Sequence, residues 1–381
     1  MTKYNLKFFY PNYFSNRAIS YACLSMAKNM NSTVFDVTVM GTASAKEARI
    51  ALYKDAIPSA LRGIAYRIFS ADKLKKISEY RFEKTTSKGD IVYLWPGASV
   101  QLFIKLKRKG CIIVRENINT HNGYAKKLLD YEYSKCGIID DYVIPSEKIQ
   151  EELEIQKYTD VVFSPSDIVS KSLQEYGVMP SSIITASYGL KGSELLNDTN
   201  TRCYNDNNYV TAVFVGRICV RKGVHLLLEA WSKGNINGRL IMVGTIDNNI
   251  KNAVNAYLSE SIQHISYTND LAAIYSNADF FILPSIEEGS PLVTYLSLGA
   301  GLPSIVSPMG GGGIISEKEG IIIDPHDQDA FIDALRLLAT DGSLRKRIGE
   351  NARRKAQDYT WDKVGKRRAK ALEVKLYALN I

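Results

Sequence analysis

The segment Phe280–Ser307, FFILPSIEEGSPLVTYLSLGAGLPSIVS, decides the predicted fold. Its first four residues, Phe280–Leu283, are apolar, which is typical of a parallel strand covered on both faces, and Pro284 ends the run. A loop with two carboxylates follows, then a helix, a Gly-Pro break and a second apolar strand. The segment therefore predicts a βαβ unit, from which open α/β sheets are built.

The loop Glu287–Pro291 is predicted to lie between the carboxyl end of a strand and the amino end of a helix. Open parallel sheets bind ligands at that edge, and the N–H groups and dipole of a helix amino end favour an anion. The alternative is an ordinary turn in which a glutamate complements the helix dipole. The segment by itself leaves both interpretations open.

The length of 381 residues predicts about two domains. A hydrophobic content of 45% and a charged content of 23% are typical of a soluble globular protein. We expect neither a signal peptide nor a transmembrane helix, because no apolar run approaches about 20 residues. The five cysteines are scattered without paired spacing, so the sequence predicts a reducing, cytoplasmic environment and no disulfide framework.

The formal net charge of +8 is concentrated in two basic regions. Residues 62–109 and residues 345–375 each contain twelve Lys and Arg against four Asp and Glu, and the rest of the chain is acidic. Such regions suit nucleic acid, an anionic membrane face or a phosphorylated substrate. A solvated helix face accounts for any single one of these charges.

Alternating apolar runs and helical patterns predict a parallel α/β sheet in each half of the chain. Beside the opening segment, the predicted strands are Leu6–Tyr10, Val34–Met40, Ile91–Leu94, Cys111–Val114, Val161–Phe163, Ile183–Ala186, Tyr209–Val215, Arg239–Val243 and Ile321–Ile323. The predicted helices are Ala18–Met30, Gly223–Trp231, Leu271–Ser276, Gln328–Thr340 and Leu344–Tyr359.

One further segment, Ile57–Phe82, is predicted to form one or two basic amphipathic helices. Ile57, Leu61, Ile64, Ala65 and Ile68 fall at helical spacing in it. We expect these apolar positions to pack on the core. Contact with a membrane surface is the alternative.

The predicted domain organisation is two Rossmann-like, doubly wound domains that face a central cleft. Residues 1–190 form the first domain, and residues 191–208, rich in Asn, Asp, Ser, Thr and Gly, form the linker. Residues 209–356 form the second domain, and a C-terminal helix in 357–381 returns to the first.

The segment Val215–Gly223, VGRICVRKG, is the strongest chemical signal. A strand ends at Gly216, and a basic loop with Arg217 and Lys222 leads into a helix that starts at Gly223. Glycine lets a ligand approach the backbone, and two cations beside a helix amino end suit a diphosphate. Two surface cations on a connecting loop are the alternative, which the second loop at Glu288 makes weaker.

Together these segments carry a family resemblance. VGRICVRKGVHLLLEAW, followed by LAAIYSNADFFILPSIEEGSPLVTYLSLGAGLPSIVS, resembles the retaining glycosyltransferases of family four, which have the GT-B fold. REN and TH at a strand end, LLDYEY, EIQKYTDVVFSPSDIVSKSLQEYG and SYGL resemble the acceptor-side domain of the same family. The resemblance spans Cys111 to Tyr359.

The resemblance implies a donor site in the second domain. Arg217, Lys222 and Gly216 would bind the donor diphosphate, and Glu288 matches the first glutamate of the family's E-x7-E motif, close to the donor sugar. The backbone segment that would contact sugar or phosphate consists of Gly289, Ser290, Pro291 and Leu292. The nucleotide base would lie near Ile265 and Tyr267.

The resemblance also implies contributions from the first domain. His121 matches the histidine that faces the transferred sugar, and it is paired with Glu288 as a catalytic residue. The family's first loop, which covers the phosphates, corresponds to a loop that contains Tyr13, Ser15, Asn16 and Arg17. This loop lacks the usual glycines.

One position departs from the family pattern. The second glutamate of the motif falls on Leu296, and leucine cannot accept a hydrogen bond from the ribose hydroxyls. Either ribose is held otherwise, through Thr294 or Glu287, or donor binding is weakened. Loss of a charged hydrogen bond costs about 1.5–3 kcal/mol, which a family member tolerates.

Other motifs are weaker. Asp327-Gln328-Asp329 matches the letters of a D-x-D metal motif, but it precedes a predicted helix, and helix capping is the expected role of Asp327. Gly310–Gly313 is either a flexible turn or a backbone-lined approach to a ligand. The remaining histidines, which lack ligand-spaced partners and predict no metal site, are His225, His264 and His326.

We therefore predict a retaining, metal-independent glycosyltransferase that needs no cofactor. It would move sugar from a nucleotide-diphosphate sugar to a glycan or polyprenyl-diphosphate-linked acceptor in surface polysaccharide synthesis, at the cytoplasmic face of an anionic membrane. A non-catalytic sugar-nucleotide-binding or scaffolding subunit is the alternative. A sugar-nucleotide epimerase is a third possibility. We expect no nucleic-acid partner, because basic and aromatic residues are not interleaved.

Overall fold

The computed structural model describes residues 3–15, 17–139, 143–195 and 209–379. The chain forms two compact units. Unit 1 contains Met1–His121, Pro145–Tyr188 and Trp361–Ile381, and unit 2 contains Asn122–Ile144 and Gly189–Thr360. Most of the predicted linker, together with Asn16 of the predicted first loop, lies outside the described residues.

Unit 1 is built on a sheet of seven parallel strands in the order β3-β2-β1-β4-β5-β6-β7. In chain order β1 to β7 are Tyr4–Phe14, Phe35–Ser44, Tyr53–Asp55, Ile91–Leu94, Ile112–Glu116, Val161–Ser164 and Ile183–Thr185. The order reverses direction between β1 and β4, as in doubly wound sheets.

The first strand corrects one prediction. β1 continues to Phe14, so Tyr13 is part of a strand and not of a loop. It pairs with Ala43 of β2 after a register shift. The extension follows from burial, because Phe14 is fully buried and its ring contacts Tyr53 edge-on, at 5.0 Å between centroids.

The described residues of unit 1 form seven α-helices, which are numbered here in chain order through both units. They are α1 Ala18–Met30, α2 Arg62–Ile68, α3 Ala71–Thr85, α4 Val100–Arg108, α6 Ser146–Gln156, α7 Asp167–Glu175 and α14 Trp361–Ala378. The C-terminal helix α14 packs on α1, where Trp361 Nε1 donates to Tyr21 at 2.7 Å.

The basic segment predicted to pack on the core divides into two helices with different environments. The prediction is correct for Ile57, which is 5% exposed, and for α3, which buries Leu74 and Phe82. It is wrong for α2, which buries no residue. A 3-10 turn, Ser59–Leu61, precedes α2 and also buries none.

Unit 2 is built on a sheet of six parallel strands in the order β10-β9-β8-β11-β12-β13. In chain order β8 to β13 are Val210–Val215, Gly238–Val243, Ile262–Ile265, Phe280–Leu283, Ser304–Val306 and Gly320–Ile322. The two apolar strands predicted from the opening segment are confirmed as β11 and β12, which are neighbours in the sheet. Both are buried throughout.

Outside the undescribed residues 140–142 and 196–208, unit 2 contains seven α-helices. They are α5 Asn122–Cys136, α8 Val224–Gly234, α9 Lys251–Tyr257, α10 Leu271–Ser276, α11 Leu292–Gly299, α12 Gln328–Thr340 and α13 Gly342–Ala356. The helix predicted between the two apolar strands is confirmed as α11. Each unit is therefore a parallel sheet with flanking helices, as the predicted α/β class requires.

The position of α5 differs from the predicted domain boundary, which assigned it to the N-terminal domain. Its side chains contact other residues of unit 2. The Glu132 carboxylate accepts hydrogen bonds from His225 at 2.7 Å and from His326 at 2.5 Å. Asn249 Nδ2 donates to the Ile139 carbonyl oxygen just beyond the helix, at 3.1 Å. These contacts join residues far apart in sequence, which is why local pattern did not reveal them.

Candidate functional site

The sheet of unit 2 changes direction at β8, with β9 on one side and β11 on the other. The loops that follow β8 and β11 therefore flank a topological switch point, where open α/β sheets bind ligands outside the carboxyl ends of their strands. These are the two loops that the sequence singles out. A backbone hydrogen bond joins the two loops: Ile286 N donates to the Arg221 carbonyl oxygen at 2.9 Å.

A glycine permits this close approach. Gly223 has φ +69°, in the left-handed region, and precedes α8. A Cβ atom at this position would overlap the carbonyl oxygen of Pro284, which ends β11. Only glycine satisfies both the backbone conformation and the contact between the two loops.

Lys222 and Glu288 form an ion pair across the two loops. Both side chains are buried, at 8% and 7% residue exposure. Burial, reinforced by the neighbouring guanidinium of Arg221, lowers the pKa of Lys222 to about 7. The two residues that the sequence assigned to diphosphate and to donor sugar therefore contact each other directly.

Arg221 is a site residue that sequence reasoning missed. Its guanidinium donates to the buried carboxylate of Glu287 at 2.8 Å and lies 3.8 Å from that of Glu288. Two cations and two carboxylates thus share one cluster. The sequence did place Arg221 next to Lys222 in the same basic loop. Only the contact between the two loops shows that the Arg221 side chain points towards the glutamates.

Arg217 lies apart from this cluster. Its side chain is 64% exposed and forms an ion pair with Asp247, in the segment after β9. The loop after β8 is held against that segment by the bond from Ile218 N to the Thr245 carbonyl oxygen, at 2.9 Å. The two predicted diphosphate cations are therefore at opposite ends of the loop, and Asp247 is a second partner that the sequence did not indicate.

The segment Gly289–Leu292 leads into α11, which begins at Leu292 after Pro291. The N-cap residue, Pro291, makes no side-chain capping bond. Ser290 Oγ is 2.7 Å from the hydroxyl of Tyr295, and both residues are buried. The uncapped end beside Glu288 can accept an anion through its backbone N–H groups.

Leu296 is partly exposed on α11, one turn after Leu292. The two substitutes considered for ribose binding have other partners. The hydroxyl of Thr294 is fully buried and donates to the Gly310 carbonyl oxygen at 2.8 Å. Glu287 is held by Arg221. Both side chains therefore have other partners in the free protein, and their substitution for the missing glutamate stays a prediction.

The predicted base region lies on the other side of β8. Gly244 N, after β9, donates to the carbonyl oxygen of Ile265 at 2.9 Å, and a Cβ on Gly244 would overlap the Gly216 carbonyl oxygen. Gly216 and Ile265 are thereby brought to one edge of the sheet. Tyr267 is 57% exposed, and its hydroxyl donates to Asn269 at 2.6 Å.

His121 lies in unit 1 and is fully buried. Its ring stacks on Tyr176 at 4.1 Å between centroids, and Nε2 is 3.6 Å from Glu152. Burial lowers the pKa of His121, an effect that Glu152 opposes. The imidazole is therefore neutral at pH 7, and its role towards a sugar stays a prediction.

The predicted first loop is also in unit 1. Tyr13 is 42% exposed and faces Tyr66 edge-on, at 6.4 Å between centroids. Ser15 Oγ lies 3.1 Å from Ser20 Oγ, and Arg17 precedes α1 as its N-cap residue without a side-chain capping bond. Contact of these residues with phosphates stays a prediction.

The weaker motifs have structural roles. The capping role predicted for Asp327 is confirmed, because its carboxylate accepts from Ala330 N at 3.0 Å. In the four-glycine loop, Gly310 packs against Leu283, and Gly313 has φ +86° beside the Tyr359 hydroxyl. Among the described residues, no group of three or more His, Cys, Asp or Glu is arranged to hold a metal ion.

A solved structure with this architecture identifies the fold class. Sucrose-phosphate synthase from Thermosynechococcus elongatus matches with a TM-score of 0.73 over 99% of this chain and 100% of that chain, at 17% sequence identity. At this identity the similarity shows the fold alone. The predicted fold class, GT-B, is confirmed.

Residues 204–355 match the model of a protein family described as glycosyl transferases group 1. The match covers about 40% of the chain, and the resemblance predicted from the loops after β8 and β11 is confirmed at this level.

Two curated relatives extend the comparison. The capsular polysaccharide biosynthesis glycosyltransferase CapM of Staphylococcus aureus is 27% identical over 173 residues, 43% of this chain and 45% of that protein. The UDP-Gal:alpha-D-GlcNAc-diphosphoundecaprenol alpha-1,3-galactosyltransferase of Escherichia coli is 34% identical over 100 residues, 26% of each protein. The matched part thus spans less than half the length of either relative. No helix within the described ranges is long and apolar enough to cross a membrane.

Proposed function

We propose that this protein is a retaining glycosyltransferase that uses a nucleotide-diphosphate sugar. The observation that carries the proposal is the buried cluster of Lys222, Arg221, Glu287 and Glu288 at the switch point of unit 2. Two cations beside an uncapped helix amino end match a diphosphate, and the carboxylates beside them match the hydroxyls of a sugar. The family relationship supports the same assignment.

Donor binding would rearrange the cluster. In the free protein the carboxylate of Glu288 is the ion-pair partner of the Lys222 ammonium group. The diphosphate would replace the carboxylate in that role. Glu288 would then be released to accept hydrogen bonds from the donor sugar. Glu287 would keep Arg221 in place through its 2.8 Å ion pair.

The transfer step breaks the bond between the anomeric carbon and the diphosphate oxygen and forms a bond from that carbon to an acceptor oxygen. Negative charge grows on the leaving diphosphate, where Lys222, Arg221 and the amino end of α11 would stabilise it. We assign no protein nucleophile. The acceptor proton would pass to a donor phosphate oxygen on the same face, which is consistent with retention and needs no divalent ion. Glu288 would position the sugar.

The acceptor we propose is a glycan or polyprenyl-diphosphate-linked glycan in surface polysaccharide synthesis. The names of the two curated relatives, one in capsular polysaccharide biosynthesis and one acting on a diphosphoundecaprenol-linked sugar, support this class. A lipid-linked acceptor would place the enzyme at the cytoplasmic face of a membrane, and the two basic regions suit an anionic surface.

A thermal-shift panel of UDP-, GDP-, ADP- and CMP-sugars tests the donor assignment. We expect one nucleotide series to raise the unfolding temperature of the wild type and not of Lys222→Ala. Donors that shift the protein are then incubated with a synthetic polyprenyl-diphosphate-linked sugar, and the product's anomeric configuration is read by NMR. No shift with any nucleotide sugar, or an inverted product, would contradict the proposal.

A second candidate is a non-catalytic sugar-nucleotide-binding subunit, which Leu296 favours because it removes a ribose-binding carboxylate. Turnover separates the two. The enzyme should transfer or slowly hydrolyse its donor, and Arg217→Ala and Lys222→Ala should each reduce that rate. Donor binding without any turnover in the presence of acceptor would establish the second candidate.

A further inference from the structure

Helix α2 in unit 1 carries its apolar stripe on the outside. Leu61, Ile64 and Ile68 fall three and four residues apart, so they share one helix face. They are 53%, 60% and 65% exposed. Such spacing normally marks the buried face of a helix.

The opposite side of the helix holds it to unit 1. Arg62 donates to the Ser44 carbonyl oxygen at 2.7 Å, and the Tyr66 ring meets Tyr13 edge-on. Polar and aromatic contacts thus face the protein while aliphatic side chains face solvent. This arrangement is the reverse of that in an ordinary surface helix. An exposed apolar face of this kind indicates that an apolar partner outside the unit covers it.

The surroundings of the helix indicate what that is. Residues 46–76 contain eight Lys and Arg against three Asp and Glu. The exposed cations among them are Lys46, Arg49, Lys54, Arg67, Lys73 and Lys76. An apolar stripe rimmed by cations matches the boundary of an anionic bilayer, where acyl chains lie beneath negative headgroups. The same net positive charge would oppose the docking of a second copy of this face.

We propose that α2 and the turn before it form a membrane anchor, which inserts Leu61, Ile64 and Ile68 into an anionic lipid surface. The inference deepens the proposed function, since a lipid-linked acceptor is presented at such a surface. It rests on unit 1 alone and does not require an intact donor site. Three inserted side chains bind only marginally by themselves, so the cationic rim must contribute.

Vesicle sedimentation tests the anchor with the full-length protein and no nucleotide. Vesicles of phosphatidylcholine with about a third phosphatidylglycerol should bind the protein, and pure phosphatidylcholine should bind it far less. Ile64→Ser with Ile68→Ser should reduce the partition coefficient about tenfold or more. The matched control, Met179→Ser with Leu337→Ser, removes two exposed apolar side chains elsewhere and should leave binding unchanged.

Two double variants, each of which removes two positive charges, test whether the cations around α2 contribute to binding. Arg67→Gln with Lys76→Gln should weaken binding, and the loss should be largest at low salt. Lys346→Gln with Arg347→Gln makes the same change in the other basic region, where both residues are exposed, and should have little effect. If the second pair alone weakened binding, the anchor would lie elsewhere and the proposal would fail.

Insertion is read directly by fluorescence. The three native tryptophans, Trp95, Trp231 and Trp361, are buried, so a tryptophan at position 68 reports on α2 above a constant background. Brominated acyl chains should quench Ile68→Trp and not Leu337→Trp. Unquenched emission from vesicle-bound Ile68→Trp overturns the proposal, as does wild-type protein that stays in the supernatant at low salt. Dimerisation abolished by Ile64→Ser with Ile68→Ser, without vesicle binding, would assign the face to self-association.

The two proposals fail separately. A protein that binds a nucleotide sugar but no vesicle keeps its donor site and loses the anchor. A protein that binds vesicles through α2 but no nucleotide sugar keeps the anchor and loses the proposed activity.

Discussion

The ammonium group of Lys222 contacts the carboxylate of Glu288, and both side chains are buried between the loops that follow β8 and β11. The diphosphate site that we propose is thus held in a charge-compensated form in the free protein. The pairing avoids the cost of an isolated buried charge, which is several kcal/mol per ion. It also means that a ligand anion and Glu288 compete for the same cation.

This competition predicts opposite effects for two substitutions. Lys222→Ala should weaken the binding of pyrophosphate, and of the nucleotide sugar that the thermal-shift panel identifies, about tenfold or more, because a charge-assisted contact is lost. Glu288→Gln should strengthen pyrophosphate binding, because a neutral amide does not form an ion pair with Lys222. The same substitution should lower the rate of sugar transfer. Isothermal titration calorimetry and transfer assays measure the two effects.

Lys233→Ala is the matched control for Lys222. This lysine lies on α8, is exposed, and pairs with Glu229 within the same helix at 2.6 Å. Its replacement should leave pyrophosphate affinity unchanged. Equal loss in both lysine variants would show that general surface charge, and not the buried cluster, binds the anion.

Donor binding should depend on pH near neutrality. The pKa of Lys222 is about 7 in the free protein, so the side chain is charged below pH 7 and becomes neutral above it. The diphosphate of a nucleotide sugar carries constant charge between pH 6 and 8, so the affinity for the donor should be highest near pH 6 and fall towards pH 8. Calorimetry at pH 8 in buffers of different ionisation enthalpy should detect proton uptake on binding. A flat profile, or the same profile in Lys222→Ala, contradicts this assignment.

Leu296 predicts poor recognition of the ribose. Its side chain accepts no hydrogen bond, and the nearby Thr294 hydroxyl is committed to the Gly310 carbonyl oxygen. Wild-type protein should bind the nucleoside diphosphate of its donor and the 2′-deoxy analogue within about twofold of each other. Leu296→Glu should prefer the ribonucleotide by about tenfold, the value of one charged hydrogen bond. Leu337→Glu, on α12, is the control, and a strong ribose preference in the wild type would disprove the prediction.

A buried ion pair should anchor the C-terminal helix to unit 1. Arg368 of α14 and Glu116 of β5 are 2.8 Å apart and fully buried, and the Tyr188 hydroxyl donates to the same carboxylate at 2.7 Å. Removal of one partner leaves a buried charge unpaired and costs about 3–5 kcal/mol. Arg368→Met should therefore speed hydrogen exchange in α14 by at least about a hundredfold.

The control for this experiment lies on the same helix. Lys370→Ala removes an exposed cation that pairs with Glu373, and it should change exchange in α14 little. Combining Arg368→Met with Glu116→Gln should restore part of the protection, because no isolated buried charge remains. Unchanged exchange in Arg368→Met would show that packing alone holds the helix.

Local pattern in the sequence was sufficient for the architecture. A four-residue apolar strand such as Phe280–Leu283, ended by Pro284, can be identified from neighbouring residues alone, because its burial on both faces requires a continuous apolar run. The same holds for the helix that starts after Gly223 and for the capping role of Asp327. The two loops of the proposed donor site were singled out because both follow such strands.

Tertiary structure decided which side chains meet and which faces are covered. The contact of Arg221 with Glu287, the ion pair of Arg217 with Asp247 and the attachment of α5 to unit 2 through Glu132 all join residues distant in the chain. No local pattern encodes such contacts. The apolar stripe of α2 shows the same limit, because helical spacing determines that Leu61, Ile64 and Ile68 share a face, whereas only the packing of the whole unit determines that this face is left uncovered.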